Sequence, residues 1–271
     1  MPETIVGIIA NPAAGKDIRR IVSQGRFISN QEKVNTLTRV MAGLEAVGVQ
    51  RVVFMPDIAM LGAAASDEAT STIPTHILDF TAFNEDRDST TAAAMMTEMG
   101  AGCLVTLGGD GTNRAVAKGC GDVPLLPIST GTNNVFPTMV EGTLAGLAAG
   151  LVAQGKLALA EVAVSSKVMN IYVDGELRDI ALIDVALSKE RFVSTRAIWD
   201  IDTLFEVFLT RAEPASIGLS SIGARLEAVS LADEGGLQYS ISDPGAKAPG
   251  SRTVLAPIAP GVVPRVVISS W

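Results

Sequence analysis

The 271 residues carry 48% hydrophobic and 18% charged side chains, enough apolar material for one large or two modest domains and too much for a disordered chain. A net charge of −8, with no Lys/Arg-rich run, excludes extended binding to nucleic acid or to anionic membranes. Cys103 and Cys120 are the only cysteines, and there is no CxxC, no secretory pattern and no apolar run long enough to span a bilayer, so a reducing cytoplasm is the expected setting.

In chain order, Thr4 to Ala10 reads as a buried strand that runs into Asn11-Pro12-Ala13-Ala14-Gly15-Lys16. Ser29-Asn30-Gln31-Glu32 reads as a capping box. Val34, Leu37, Val40, Met41, Leu44 and Val47 then recur at helical spacing, and Gly48 supplies the stop. Arg51 to Met55 and Ile73 to Phe80 read as short strands, and Ser89 to Met99 as a helix stopped by Gly100. Cys103 to Leu107 and Pro124 to Ile128 are further apolar strands, with a helix-compatible segment from Arg114 to Lys118 between them. Alternation of this kind implies a mostly parallel sheet with crossover helices. After an Ala/Gly-rich helix at Leu144 to Gln154 the pattern changes. Val168 to Val173 and Glu176 to Ile183 flank Asp174-Gly175, a strong hairpin signal. Leu226 to Val229, Leu237 to Ile241, Thr253 to Ala256 and Arg265 to Ile268 read as short strands, and Ile198 to Leu209 as one helix. The expected fold is therefore a Rossmann-like α/β domain over residues 1–143 and a mostly antiparallel β domain over 144–271.

The chemistry is concentrated in loops. The strand ending at Leu107 runs into Gly108-Gly109-Asp110-Gly111-Thr112-Asn113, three glycines around one aspartate ahead of a helix. Glycines let backbone N–H groups close on a ligand and permit positive φ, and a helix N-terminus adds partial positive charge that suits phosphate. Asp110 would then orient or deprotonate an acceptor hydroxyl, or hold Mg²⁺ against donor phosphates; the sequence does not separate these roles. The first strand ends in the loop of Asn11, Gly15 and Lys16, which lacks the Walker A spacing but can meet phosphates through Asn11 and backbone amides. The strand at 124–128 ends in Ser129-Thr130-Gly131-Thr132-Asn133-Asn134-Val135-Phe136-Pro137. Because ligands of open α/β sheets bind beyond the carboxyl ends of the strands, these three loops are expected to line one crevice. The candidate phosphate-binding set is Asn11, Gly15, Lys16, Gly108, Gly109, Gly111, Thr112, Asn113 and Arg114.

Taken together, the NPAAGK, LGGDGTNR and STGTNNVFP segments resemble the NAD kinase and diacylglycerol kinase superfamily, and in particular its ATP-NAD kinase branch, which includes acetoin catabolism protein X. The resemblance continues in Ala181-Leu182-Ile183-Asp184-Val185, similar to the family's Ala-Leu-Asn-Glu-Val, and in Ala256 to Gly261, similar to its Pro-Ile-x-Pro-His. Ile183-Asp184 thus stands where the family has Asn-Glu, and Gly261 where it has histidine. The family's Gly-Ser-Thr-Ala-Tyr segment has a weak counterpart in Gly218 to Gly223. The resemblance implies transfer of a phosphoryl group from ATP or polyphosphate, with Mg²⁺, to the 2′-hydroxyl of NAD, giving NADP. It further implies that Gly131, Thr132, Asn133, Asn134 and Asp184 contact the acceptor. A homo-oligomer is the expected assembly. Two other readings stand beside this one: a lipid or sphingoid-base kinase on the same scaffold, and a non-catalytic NAD- or ATP-binding regulator linked to acetoin catabolism. His76, the only histidine, lies in an apolar run and reads as structural; Cys103 and Cys120 read as small core residues. Trp199-Asp200 reads as packing between domains.

Overall fold

The computed structural model describes residues 3–16, 23–25, 27–131, 133–190, 200–242 and 249–271. They fall into two compact units. The first comprises Met1–Gly15, Ile28–Gly131 and Phe136–Val164, and the second Lys16–Phe27, Thr132–Val135 and Ser165–Trp271.

The first unit is built on one parallel sheet. Strands β1 (Ile5–Ala10), β2 (Arg51–Phe54), β3 (Thr75–Ile77), β4 (Cys103–Gly108) and β5 (Leu125–Ser129) lie in the order β3-β2-β1-β4-β5. Helices α1 (Asn30–Ala46), α2 (Leu61–Glu68), α3 (Asp86–Glu98), α4 (Asp110–Ala117) and α5 (Gly142–Ala153) connect and cover it, and a short α6 (Leu159–Val162) follows. Every residue of β1 and β4 is buried, because both faces of the sheet are covered. Val6 and Ile8 face one core with Leu37, Met41 and Ala149; Ile5 and Ile9 face the other with Ala92, Met96 and Val116. That two-sided burial is why these strands read as mostly apolar runs.

Helix α1 begins where its sequence signal stands: the Ser29 hydroxyl accepts from the Glu32 N–H at 3.1 Å. Gly48 follows its last turn at φ +84°, a conformation favouring glycine. Helix α5 packs on α1 with backbones in close approach. A Cβ at Gly146 would run into the Val40 carbonyl, and one at Gly43 into that of Thr143. The sequence suggests a boundary near residue 143, yet α5 packs on α1 within the first unit, which runs to Val164.

The second unit is antiparallel β. Strands β6 (Met169–Val173) and β7 (Glu176–Ala181) form the expected hairpin, with Asp174 and Gly175 both at positive φ (53° and 80°) in its turn. A five-stranded sheet holds β8 (Asp184–Ser188), β9 (Leu204–Leu209), β10 (Leu237–Ile241), β11 (Arg252–Leu255) and β12 (Arg265–Ser270) in the order β11-β12-β10-β9-β8. Tyr239, Val207, Ile268 and Ile222 of helix α7 (Leu219–Ala224) fill its core.

Two expectations are corrected. Leu204–Leu209 is strand β9, not the end of a helix: it pairs with β8 on one side and β10 on the other. Ile201–Thr203 ahead of it is a single 3-10 turn capped by Asp200, and residues 198–199, which include Trp199, lie outside the described residues. Leu226 to Val229 contributes only one bridge, Ala212 to Val229, rather than a strand. His76 lies exposed on the edge strand β3. Among the described residues no helix is long and apolar enough to cross a membrane.

Candidate functional site

Five parallel strands bring their carboxyl ends to one edge. From β1 the chain passes to α1, whose side chains join the core of one face; from β4 it passes to α4, whose Val116 joins the other. The adjacent ends of β1 and β4 therefore diverge, the arrangement that opens a crevice in α/β sheets. The loops Asn11–Gly15 and Gly109–Asn113 stand at that point.

Helix α4 starts at Asp110, four residues before the helix read from sequence, and Gly109 is its N-cap with extended φ/ψ of −110° and −168°. The Asp-Gly-Thr-Asn run is thus the first helical turn rather than a free loop. Gly108, Gly109 and Gly111 are absent from the positive-φ residues, so left-handed backbone is not why they are glycine. Space within the protein is the reason at Gly108. A Cβ at Gly108 would lie 2.5 Å from Thr112 Oγ1, whereas a Cβ at Gly111 would meet nothing within 4 Å. Gly108 makes room for the protein itself; Gly111 faces open space.

Hydrogen bonds tie the three loops of the first unit together. Asn11 Nδ2 donates to Thr112 Oγ1 at 2.9 Å, joining the β1 loop to the α4 turn. The Phe136 N–H donates to Asp110 Oδ1 at 2.7 Å, joining that turn to the segment after β5. The Thr130 N–H donates to the Gly108 carbonyl at 3.2 Å. Gly15, at φ +72°, passes so close to Thr130 that a Cβ would lie 2.5 Å from its carbonyl oxygen. The carboxylate of Asp110 therefore sits at the first turn of a helix, held by a backbone N–H, among three converging loops. Helix-end N–H groups favour negative charge there, whether carboxylate or phosphate.

The remaining candidates divide. Asn113 is fully buried: its Oδ1 accepts from Thr106 Oγ1 at 2.6 Å and its Nδ2 donates to the Gly109 carbonyl at 2.9 Å, so its side chain clamps the loop to β4. Arg114 pairs with Asp86 on the first turn of α3 at 3.0 Å. Gly131 is held locally, its carbonyl accepting from Ser129 Oγ at 2.9 Å. Lys16, Asn133 and Asn134 belong to the second unit, the two asparagines half-buried. Thr132 lies outside the described residues. Asp184 opens β8, exposed, with its backbone opposite Leu209. Its charge, added to burial, pushes the Tyr239 phenol well above its ordinary value. Gly261 sits at φ +77° in the tight turn from Ala259 to Val262, a backbone that would strain the histidine found there in the family pattern. Ser220 and Ser221 of the Gly218–Gly223 segment are buried, their hydroxyls donating to carbonyls of Arg211, Gly218 and Pro257.

Sequence reasoning passed over Lys33. It is 1% exposed and donates from Nζ to the carbonyls of Asn11 and Pro12 at 3.0 and 2.8 Å. Its signal was present: Lys33 stands four, seven and eleven residues ahead of Leu37, Val40 and Leu44, on the buried stripe of α1. Thr106 was legible in the same way, as a hydroxyl within an otherwise apolar buried strand. Asp57, after β2, caps the start of α2 by accepting from the N–H groups of Ala59 and Leu61, and burial raises its carboxyl above the usual range.

Among the described residues no group of three or more His, Cys, Asp or Glu side chains could hold a metal ion. A divalent ion at Asp110 would have to take most of its ligands from phosphate oxygens and water, the usual habit of Mg²⁺.

A parallel α/β sheet with a Gly-rich turn at its switch point is an arrangement that recurs in nucleotide-binding folds. A family model described as the ATP-NAD kinase N-terminal domain matches residues 6–156, and the chain belongs to that family. A second model, described as the acetoin catabolism protein X C-terminal domain, matches residues 167–271. In keeping with both, the chain is 40% identical over 278 aligned positions to acetoin catabolism protein X of Cupriavidus necator, covering 98% of this chain and 77% of that protein.

Proposed function

We propose that this protein is an NAD kinase-like phosphotransferase that moves the terminal phosphoryl group of ATP, or of polyphosphate, to the 2′-hydroxyl of NAD. The observation that carries the reading is the Asp110 carboxylate, fixed by the Phe136 N–H at the N-terminus of α4 beside the open space at Gly111. Donor phosphates approach the N–H groups of the first turn of α4, where the missing Cβ of Gly111 admits them. Asp110 orients the acceptor hydroxyl and takes its proton as the oxygen attacks phosphorus; the bond from that phosphorus to the bridging oxygen breaks, and ADP or a shortened polyphosphate leaves. Magnesium carried in with the nucleotide supplies charge neutralisation. Asn133, Asn134 and Asp184 contact the acceptor in this reading, and Asn11, Gly15 and Lys16 the donor. Membership of the ATP-NAD kinase family supports the donor and acceptor classes.

The test is a matrix of donors (MgATP, polyphosphate) against acceptors (NAD, NADH, diacylglycerol vesicles) on the purified protein, with NADP read by a coupled dehydrogenase. NADP formation supports the proposal. Transfer to diacylglycerol with none to NAD would replace it with a lipid kinase. Nucleotide binding without transfer to any acceptor would replace it with a regulator.

A further inference from the structure

Lys33 is the only lysine so deeply buried among the described residues, and the function proposed above does not use it. Burying an ammonium is costly unless hydrogen bonds replace its water. Here they come from the carbonyls of Asn11 and Pro12, at 3.0 and 2.8 Å. Both carbonyls are thereby drawn toward α1. A carbonyl oxygen is the negative end of the peptide dipole, and either one facing outward would repel a phosphate. The same turn fixes the Asn11 carboxamide: its Oδ1 accepts from the Ala13 N–H at 2.8 Å, which aims Nδ2 at Thr112 Oγ1, 2.9 Å away. A continuous chain of hydrogen bonds thus runs from a buried cation on α1, through Asn11, to the first turn of α4. The charge of Lys33 also reaches Asp57 at the end of β2, where it opposes the rise that burial imposes on that carboxyl.

We propose that Lys33 is the positioning residue of the phosphate-binding loop: its ammonium turns the Asn11 and Pro12 carbonyls inward and, through Asn11, sets Thr112 and the Gly-rich turn for the donor phosphates. The inference rests on the reading that this loop takes the donor. The full chain is compared as wild type, Lys33→Met, Lys33→Arg, Asn11→Ala and Asn11→Ala/Lys33→Met. Amide exchange over residues 11–16 is followed without ligand, and MgATP affinity is measured by calorimetry. Lys33→Met speeds exchange at Ala13 and Ala14, and weakens MgATP binding roughly tenfold or more, as expected for losing a charge-assisted hydrogen bond. KM for NAD stays within about twofold, Lys33→Arg recovers part of the loss, and the double variant is little worse than Asn11→Ala alone. Should Lys33→Met not fold, Lys33→Gln carries the same comparison. Unchanged loop exchange, equal weakening of MgATP and NAD, or full additivity with Asn11→Ala would overturn the inference. A wild type that takes up no MgATP would instead sink the functional reading, leaving loop exchange alone to decide the role of Lys33.

Discussion

Replacing Gly111 by alanine separates what this residue does for the fold from what it does for a ligand. Gly111 is the second residue of α4, exposed, outside the positive-φ set, and a Cβ there would meet no neighbour within 4 Å. For folding alone, glycine is then the poorer choice. Alanine in a compatible backbone narrows the unfolded ensemble and stabilises by roughly 0.4–1 kcal/mol. At a helix start we take about 0.5 kcal/mol, which raises the melting temperature by on the order of 1–2 °C. The same methyl group, however, stands in the space assigned to donor phosphates. We expect MgATP affinity to fall roughly tenfold or more, about 1.4 kcal/mol per factor of ten. Scanning calorimetry on the free protein and titration calorimetry with MgATP measure the two effects, which have opposite signs. The companion Gly108→Ala behaves differently: its methyl lies 2.5 Å from Thr112 Oγ1 and 2.6 Å from Thr112 Cβ, so stability itself falls by about 1–3 kcal/mol. If Gly111→Ala gains stability and binds MgATP as wild type does, no ligand uses that space and the phosphate assignment fails.

Other outcomes follow from the same geometry. Thr106→Val deprives the fully buried Asn113 Oδ1 of its donor and should cost about 1–3 kcal/mol in urea unfolding; a change under a few tenths would show that the clamp is dispensable. Asp184→Ala should raise KM for NAD more than KM for ATP, and a selective rise in the ATP constant would move Asp184 to the donor side. Burial raises the Cys103 thiol from 9.0 to about 12. The folded chain keeps that proton while the unfolded chain releases it, so the contribution is whole below pH 9 and is lost as pH rises from about 9 to about 12. At pH 8 a disulfide-exchange dye should leave Cys103 untouched until urea is added, and rapid reaction of the native protein would contradict that burial.

The parallel sheet was legible because β1 and β4 are buried on both faces, which makes each a mostly apolar run leading into a polar, Gly-containing loop. The hairpin was legible because Asp174-Gly175 names its own turn. Strand β9 was not: Leu204, Phe205, Val207, Phe208 and Leu209 place apolar residues at spacings that suit a helix as well, and only pairing with β8 and β10 decides. The start of α4 was misplaced because the two glycines flanking Asp110 read as loop, whereas one caps the helix and the other lies inside it. At the site, the sequence gathers residue types but not directions. Asn113 looks like a ligand donor beside glycines, yet seven residues earlier Thr106 turns the same carboxamide into a buried clamp. Lysines on amphipathic helices ordinarily face water, yet the register of Lys33 places it on the buried stripe.

The central claim is that Asp110 acts on the reacting hydroxyl rather than shaping a turn. Its most direct test is the turnover of Asp110→Asn with NAD, measured alongside MgATP affinity and melting temperature. The asparagine keeps an oxygen that can accept from the Phe136 N–H, so loop geometry and donor binding should persist. A base has been removed, so kcat should fall roughly 100- to 10,000-fold. Turnover close to wild type, with donor affinity unchanged, would contradict the account and leave Asp110 a structural residue of the α4 turn.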